Sequence, residues 1–487
     1  MKKAELFSSR WAMMLAMLGM AVGTGNIWRF PRIAATNGGG SFLVAWVVFL
    51  LLWSVPLILV EFAMGKAARR GTVGAFAKIG GERFGWMGAW VAWCTVAILF
   101  YYSVVMGWCL RYLVASVRDL LAIGAPELAG EAPGALWTTF IESRWQPLLT
   151  HAASIGLGAW VVARGVRGIE RAARILMPAL LLLVVALAIR AVTLPGAERG
   201  LNFLFTPDWS ALKDYGIWIQ ALTQNAWDTG AGWGLILTYA VYMRMREDTA
   251  LNAFLLGFGN NSVSLLAGIM VLCTVFAIRP DAASEIVGAG NEGLTFIWVP
   301  QLLSTMPGGR FFMVLFFLAL FFAAWTSLIS MVELATRVLV DGGASRPRAI
   351  AWVALAGFLF GVPSALSLGF FGNQDFVWGV GLMLSGLFFA VVVLRYGARR
   401  FREELINQEG SDIRIGRWWD WAIALCVVEA VVLIVWWFAQ AATGGVREAL
   451  DPFSSFSAGT VLLQWGIVLA ILIASNRWIV RRSTAPG

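Results

Sequence analysis

The sequence predicts an all-α polytopic membrane protein with about twelve spanning helices, two of them broken. Three observations carry this. Of 487 residues, 59% are hydrophobic and only 13% charged, with a mean hydropathy of +0.75; a soluble chain carries roughly 25% charge. About a dozen runs approach the ~20 apolar residues that a spanning helix needs. The first and sixth of these runs are interrupted by glycine clusters.

The runs fall near 11–36, 41–65, 86–117, 150–165, 175–194, 216–243, 250–278, 310–340, 349–367, 376–397, 418–441 and 457–479. The stretch 150–165 is the weakest, being short and carrying His151, and Pro363 lies near the end of 349–367. Lys2 and Lys3 before an apolar run look like a leader peptide, but no small-residue cleavage site follows. The segment is therefore read as the first span of the mature protein. The connections 118–149, 195–215, 279–309 and 398–417 are read as loops, and the whole chain as one membrane domain.

Composition excludes much chemistry. His151 is the one histidine, so a multi-histidine metal site cannot be built. Cys94, Cys109, Cys273 and Cys426 are dispersed in apolar stretches and read as buried packing residues. The net charge of +9 and pI near 9.8 are explained by topology. With the N-terminus inside, 26 of the 37 Lys and Arg fall on the inner side, the bias expected of cytoplasmic loops. Both termini are expected in the cytoplasm, the location in the cell inner (plasma) membrane, the partner a lipid bilayer and not nucleic acid; homo-oligomerisation stays open.

The interruptions are GMAVGTGN (19–26) and DTGAGWG (228–234). Glycine weakens a helix by about 1 kcal/mol relative to alanine. An opened backbone at membrane depth is tolerated only against protein or a water-filled cavity. Two breaks five spans apart point to a transporter site at the midplane, with freed N–H groups for a carboxylate and freed carbonyls for a cation. The alternative is that these glycines only allow close helix packing.

SRWAMMLAMLGMAVGTGNIWRFPRIAATNGGGSF (9–42) resembles the first-helix signature of the neurotransmitter:sodium symporter family. VPLILVEFAMG (55–65) is similar to its second helix and AWTSLISMVE (324–333) to its eighth. The paired breaks belong to this same resemblance and are not independent of it. It implies the leucine-transporter fold of the bacterial amino-acid branch: a 5+5 inverted repeat over about 9–195 and 216–397, with added helices at about 418–441 and 457–479. It also implies sodium-coupled uptake by alternating access, two sodium ions, no organic cofactor and no enzymatic activity.

By this resemblance, one sodium site uses Ala21, Asn26, Asp228 and Asn260. The second uses Gly19, Val22, Ala323, Thr326 and Ser327; ordinary back-bonding is the alternative for the two hydroxyls. The substrate site is implied at Met20, Ala21, Gly23, Thr24, Gly25, Ile98, Tyr102, Trp227, Asp228, Gly230, Trp233, Ser327 and Met331. Gly23 stands where amine transporters carry an aspartate, so a neutral hydrophobic or aromatic amino acid is expected over an amine. The outer gate is implied at Arg29 and Asp375, with Tyr102 and Trp227 as an aromatic lid. At the inner gate, Tyr242 and Asp341 match. The family's arginine aligns with Ala4, leaving Lys2 or Lys3 to reach Asp341.

Asp228 departs from the family, which carries Ser or Thr there; Trp46 replaces a tyrosine of the chloride site, while Asn260 and Ser264 match. Chloride-independent transport is expected, with Asp228 supplying the compensating charge. In the empty return state it would take up a proton, because an isolated buried charge is costly; a plain sodium-ligand role is the alternative. Glu61 is implied to accept hydrogen bonds from the opened sixth helix; the alternative for it and for Glu333 is a protonated core residue. Rival readings are a channel, a non-transporting amino-acid sensor on this fold, and a symporter of a small non-proteinogenic carboxylate.

Overall fold

The computed structural model describes residues 5–408, 411–442 and 445–484. Among the described residues there are helices and no strand, as expected where lipid offers the backbone no hydrogen-bond partner. Ser9 starts α1 (Arg10–Ala21), its hydroxyl accepting from Ala12 N at 3.2 Å. After the break, α2 (Gly25–Thr36) leaves at 53° to α1. Within α3 (Gly40–Ala68), Pro56 has no N–H to donate to Leu52 O. The backbone widens there into a π turn at Leu50–Ser54, and Leu52 O accepts from Cys426 Sγ at 3.3 Å.

Next come α4 (Thr72–Gly80), α5 (Glu82–Leu120), α6 (Ala132–Glu142), α7 (Gln146–Val162), α8 (Gly165–Val192) and α9 (Ala197–Phe205). The second broken span is α10 (Tyr215–Asp228) with α11 (Leu235–Ala240). Then follow α12 (Thr249–Ile278), α13 (Ala283–Gly288), α14 (Val299–Ser304), α15 (Gly309–Asp341), α16 (Arg346–Leu366) and α17 (Leu368–Tyr396). The described chain closes with α18 (Trp418–Ala441), α19 (Ala458–Ala474) and α20 (Asn476–Thr484).

Eight helices (α3, α5, α8, α12, α15, α16, α17 and α18) are long and apolar enough to cross a membrane, and the bent pairs α1/α2 and α19/α20 bring the total to ten. The expected spans at 150–165 and 216–243 correspond to the 17-residue α7 and to the short pieces α10 and α11. Four boundaries differ from expectation. Helix α8 starts at Gly165, because the basic stretch before residue 175 is amphipathic helix. Helix α17 starts at Leu368, so Asp375 lies two turns inside it instead of opening it. The span near 457–479 ends at Ala474, where the chain turns by 61°. The connections 195–215 and 279–309 are largely helical, not open loops.

Helix α15 is the hub, packed on α1, α5, α7, α8 and α16. Trp53, Trp90, Trp108 and Trp419 fill the core, and the four cysteines are buried and free. His151 is buried, stacked on Phe358 and bonded to Phe358 O at 3.1 Å, so it packs α7 against α16. Both described ends share one face: Phe7 N donates to Tyr242 O, and Arg70 to Ser483 O at 2.5 Å, while Arg337 joins α15 to Arg69 O beside it.

Candidate functional site

The two breaks meet at the centre of the bundle. Helix α1 ends as Val22 turns extended (φ −74°, ψ 99°), and Gly23 N donates to Asn26 Oδ1 at 2.7 Å. Across from it, Gly230, Gly232 and Gly234 have φ of +71°, +87° and +77°. Side chains rarely adopt this left-handed backbone without strain. The carboxylate of Glu61 reaches over from α3, accepting from Gly232 N at 2.7 Å and Leu237 N at 3.0 Å. It replaces helix bonds that the break removes.

Asn26, Asn260, Ser264 and Asp228 form one buried group. Asn26 Nδ2 donates to Asn260 Oδ1 (3.0 Å) and Ser264 Oγ (2.8 Å), and Ser264 Oγ donates to Asp228 Oδ2 (2.7 Å). Asp228 Oδ1 is buried with no hydrogen-bond partner. An orphaned carboxylate oxygen among amide oxygens fits a hard monovalent cation. Trp46 brings no hydroxyl to this group; its ring packs on Phe30 at 4.6 Å and its own Nε1 is unpartnered.

Where α1 meets α15 lies a second oxygen-rich set. Ser327 Oγ donates to Met20 O at 3.3 Å. Gly19 abuts Thr326, where a Cβ would lie 3.2 Å from Thr326 Cβ. Thr326 Oγ1 back-bonds to Phe322 O and Ala323 O at 3.0 and 3.1 Å. Its lone pairs stay free to accept.

Between the breaks is a cavity of about 90 Å³. Met20, Ala21, Gly23, Thr24, Gly25, Ile98, Tyr102, Trp227, Asp228, Gly230, Trp233, Ser327 and Met331, the residues expected at the substrate site, all line it. Tyr102 Oη accepts from Thr24 N (3.2 Å) and Thr24 Oγ1 (3.3 Å). A Cβ on Gly23 would lie 2.8 Å from Ser327 Oγ and 3.0 Å from Tyr102 Oη, so a side chain there requires those two hydroxyls to move. Sequence reasoning missed Tyr101, Val105, Leu235, Asn291, Glu292 and Phe371, which also line the cavity. The polar pair Asn291–Glu292 between glycines was the available signal, hidden by its place in a presumed loop.

On the face away from the termini, the cavity adjoins a vestibule of about 540 Å³, with Arg29, Trp227 and Asp375 lining both. The Arg29–Asp375 ion pair expected of an outer gate is not formed: Arg29 donates instead to Gln224 Oε1 at 2.9 Å and lies over Trp227 at 5.1 Å. The expected Tyr102–Trp227 lid is not a ring pair. Trp227 meets Trp233 edge-on at 6.4 Å and lies against Gly379, where a Cβ would be 1.8 Å from Trp227 Cζ2.

The face carrying the termini is closed. Asp341 pairs with Arg337 of its own helix at 2.8 Å and accepts from Gly71 N at 2.6 Å. Lys2, Lys3 and Ala4 lie outside the described residues. Tyr242 Oη donates to Glu333 Oε1 at 2.5 Å, and Arg346 pairs with Glu333 at 2.5 Å. Glu333 is therefore an ion-pair partner, not a neutral core residue.

Comparison with known proteins gives a consistent picture. The sodium:neurotransmitter symporter family matches residues 4–127 and 142–482. An uncharacterized sodium-dependent transporter of Methanocaldococcus jannaschii is 32% identical over 98% of both chains. Another, YhdH of Bacillus subtilis, is 31% identical over 89% of this chain and 97% of its own. The crystal structure of MhsT in complex with L-phenylalanine matches with a TM-score of 0.78 and 30% identity, covering 89% of this chain and 99% of MhsT.

Proposed function

Because the chain belongs to the sodium:neurotransmitter symporter family and is a multi-pass, sodium-dependent symporter of a small molecule, we propose that it carries a neutral hydrophobic or aromatic amino acid into the cell, independently of chloride. The observation that carries this reading is Asp228. Its Oδ2 is held by Ser264, its Oδ1 is buried without a partner close to Gly25, and the residue lines the cavity. A built-in negative charge there does the work of a bound anion.

The proposed ligands of the first sodium are Ala21, Asn26, Asp228 and Asn260. Those of the second are Gly19, Val22, Ala323, Thr326 and Ser327. The substrate carboxylate meets the first sodium, Tyr102 Oη and the freed N–H groups after Gly23. Its side chain lies among Met20, Ile98, Trp233 and Met331; of the charged residues lining the cavity, Arg29, Glu292 and Asp375 also line the vestibule, and Asp228 is assigned to the first sodium. The absence of a carboxylate at Gly23, whose site is crowded by the Ser327 and Tyr102 hydroxyls, supports a substrate that brings its own. The similar structure that holds L-phenylalanine supports the aromatic class.

The termini face the cytoplasm of a cell whose inner membrane the protein spans, supported by the positive charge of that face. The breaks relate two inverted repeats, about 9–195 and 216–397. An outward-open state is supported by the unformed Arg29–Asp375 pair and by the contacts among Arg337, Asp341, Tyr242, Glu333 and Arg346 on the inner side. Substrate and sodium draw the outer helices together, closing Arg29 and Asp375 over Trp227.

Uptake of a labelled amino-acid panel into proteoliposomes under a sodium gradient, with chloride or gluconate as anion, tests this. Neutral aromatic or branched residues are expected to accumulate equally in both anions. Preference for amines, charged amino acids or small non-amino carboxylates, or binding without uptake, would overturn the reading. Arg29→Gln is expected to cut uptake to less than about a tenth by losing the charge-assisted gate contacts, with expression unchanged. Normal uptake by that variant removes Arg29 from the gate.

A further inference from the structure

Arg164, Arg167 and Arg171, at the turn into α8, are all exposed. Three other arginines on this face are matched: Arg174 with Glu170 at 2.5 Å, Arg337 with Asp341 at 2.8 Å, Arg346 with Glu333 at 2.5 Å. No ion pair joins Arg164, Arg167 or Arg171 to a carboxylate among the described residues. Glu170 is already taken by Ser8 and Arg174, and Glu5 lies over Gly165, on the first turn of α8. The Arg164 guanidinium lies 4.0 Å over the Trp160 ring and donates to Trp160 O at 3.1 Å.

Below these charges a groove of about 300 Å³ opens between α7, α8 and α15, lined by Trp160, Arg164, Arg171, Ile175, Leu176 and Trp325. Trp160 and Ile175 face outward, 54% and 64% exposed. Trp325 Nε1 is buried without a partner. From Arg164 to Leu176 the helix axis rises about 18 Å, close to the depth of one leaflet's hydrocarbon, about 15 Å. The groove is thus cationic from Arg164 to Arg171, about 10 Å along the axis, and apolar beyond them at Ile175, Leu176 and Trp325.

We propose that this groove binds one anionic phospholipid, its phosphate held by Arg164 and Arg171 and one acyl chain lying along Ile175, Leu176 and Trp325. Charge complementarity selects the occupant. A zwitterionic headgroup offsets its own phosphate with an ammonium, whereas an anionic one leaves the arginines a net charge to neutralise. Trp325 directly precedes Thr326 and Ser327, so the chain lies against the α15 turn that bears those hydroxyls.

Native mass spectrometry of the full-length protein, equilibrated with phosphatidylglycerol or phosphatidylcholine, tests the proposal. One phosphatidylglycerol is expected to stay bound where phosphatidylcholine is lost. The double variant Arg164→Gln, Arg171→Gln should weaken that retention about tenfold or more. Ala172→Trp keeps both arginines but fills the groove that Ala172 lines, and should remove retention as well. An unaltered melting temperature in at least one variant separates lost binding from lost fold. Equal retention of the two lipids by the unaltered protein, undiminished retention in either variant, or displacement by inorganic phosphate alone overturns the proposal.

Discussion

Asp228→Ser is expected to convert chloride-independent uptake into chloride-dependent uptake. The substitution deletes the one carboxylate in the Asn26–Asn260–Ser264 group and leaves a hydroxyl beside a space of its former size. A unit charge about 4 Å from a cation is worth about 4 kcal/mol at an effective dielectric near 20. Sodium affinity without chloride should therefore fall by two to three orders of magnitude, roughly. Chloride, placed against Ser264, Asn260 and the new serine, should restore most of it. The measurement is sodium-driven uptake with chloride or gluconate as the anion, for parent and variant. A parent that already needs chloride, or a variant that gains nothing from it, ends the assignment.

Glu61→Gln should cost stability and transport together. Both Glu61 oxygens accept backbone N–H groups of the opened segment, from Gly232 and Leu237. Glutamine keeps one acceptor and turns an NH₂ towards the other N–H. A buried hydrogen bond to a charged group is lost, at about 1.5–3 kcal/mol, and two donors are set against each other. The melting temperature in detergent should drop, and uptake should fall to under about a tenth, because the left-handed stretch Gly230–Gly234 loses its anchor. A variant with parental melting temperature and uptake would show that α3 does not hold the break.

Much of this was legible in the chain. Scarce charge, apolar runs and glycine clusters read out in one dimension, because each is a local response to lipid or to a lost helix bond. Asn26, Asn260, Thr326 and Ser327 were singled out through motif resemblance, and the two proposed sodium sites rest on them. Elsewhere the sequence misled, where partners come from another helix or from a folded-back connection. Glu333 looked like a neutral core residue until Arg346, thirteen residues on, proved to be folded against it. Asn291 and Glu292 sat in a presumed loop that packs back onto the cavity.

By itself, the sequence determined the membrane setting, the two breaks and the departure at residue 228, since each depends on which residue is present and how its neighbours are spaced. Only the tertiary structure decided which Asp228 oxygen is spoken for, that Arg29 rests on Gln224 instead of Asp375, and that Asp341 is held by Arg337. Hydrogen bonds and ion pairs are settled within a few ångströms: Ser264 and Gln224 reach Asp228 and Arg29 from other helices, and Arg337 holds Asp341 from one turn away on the same helix.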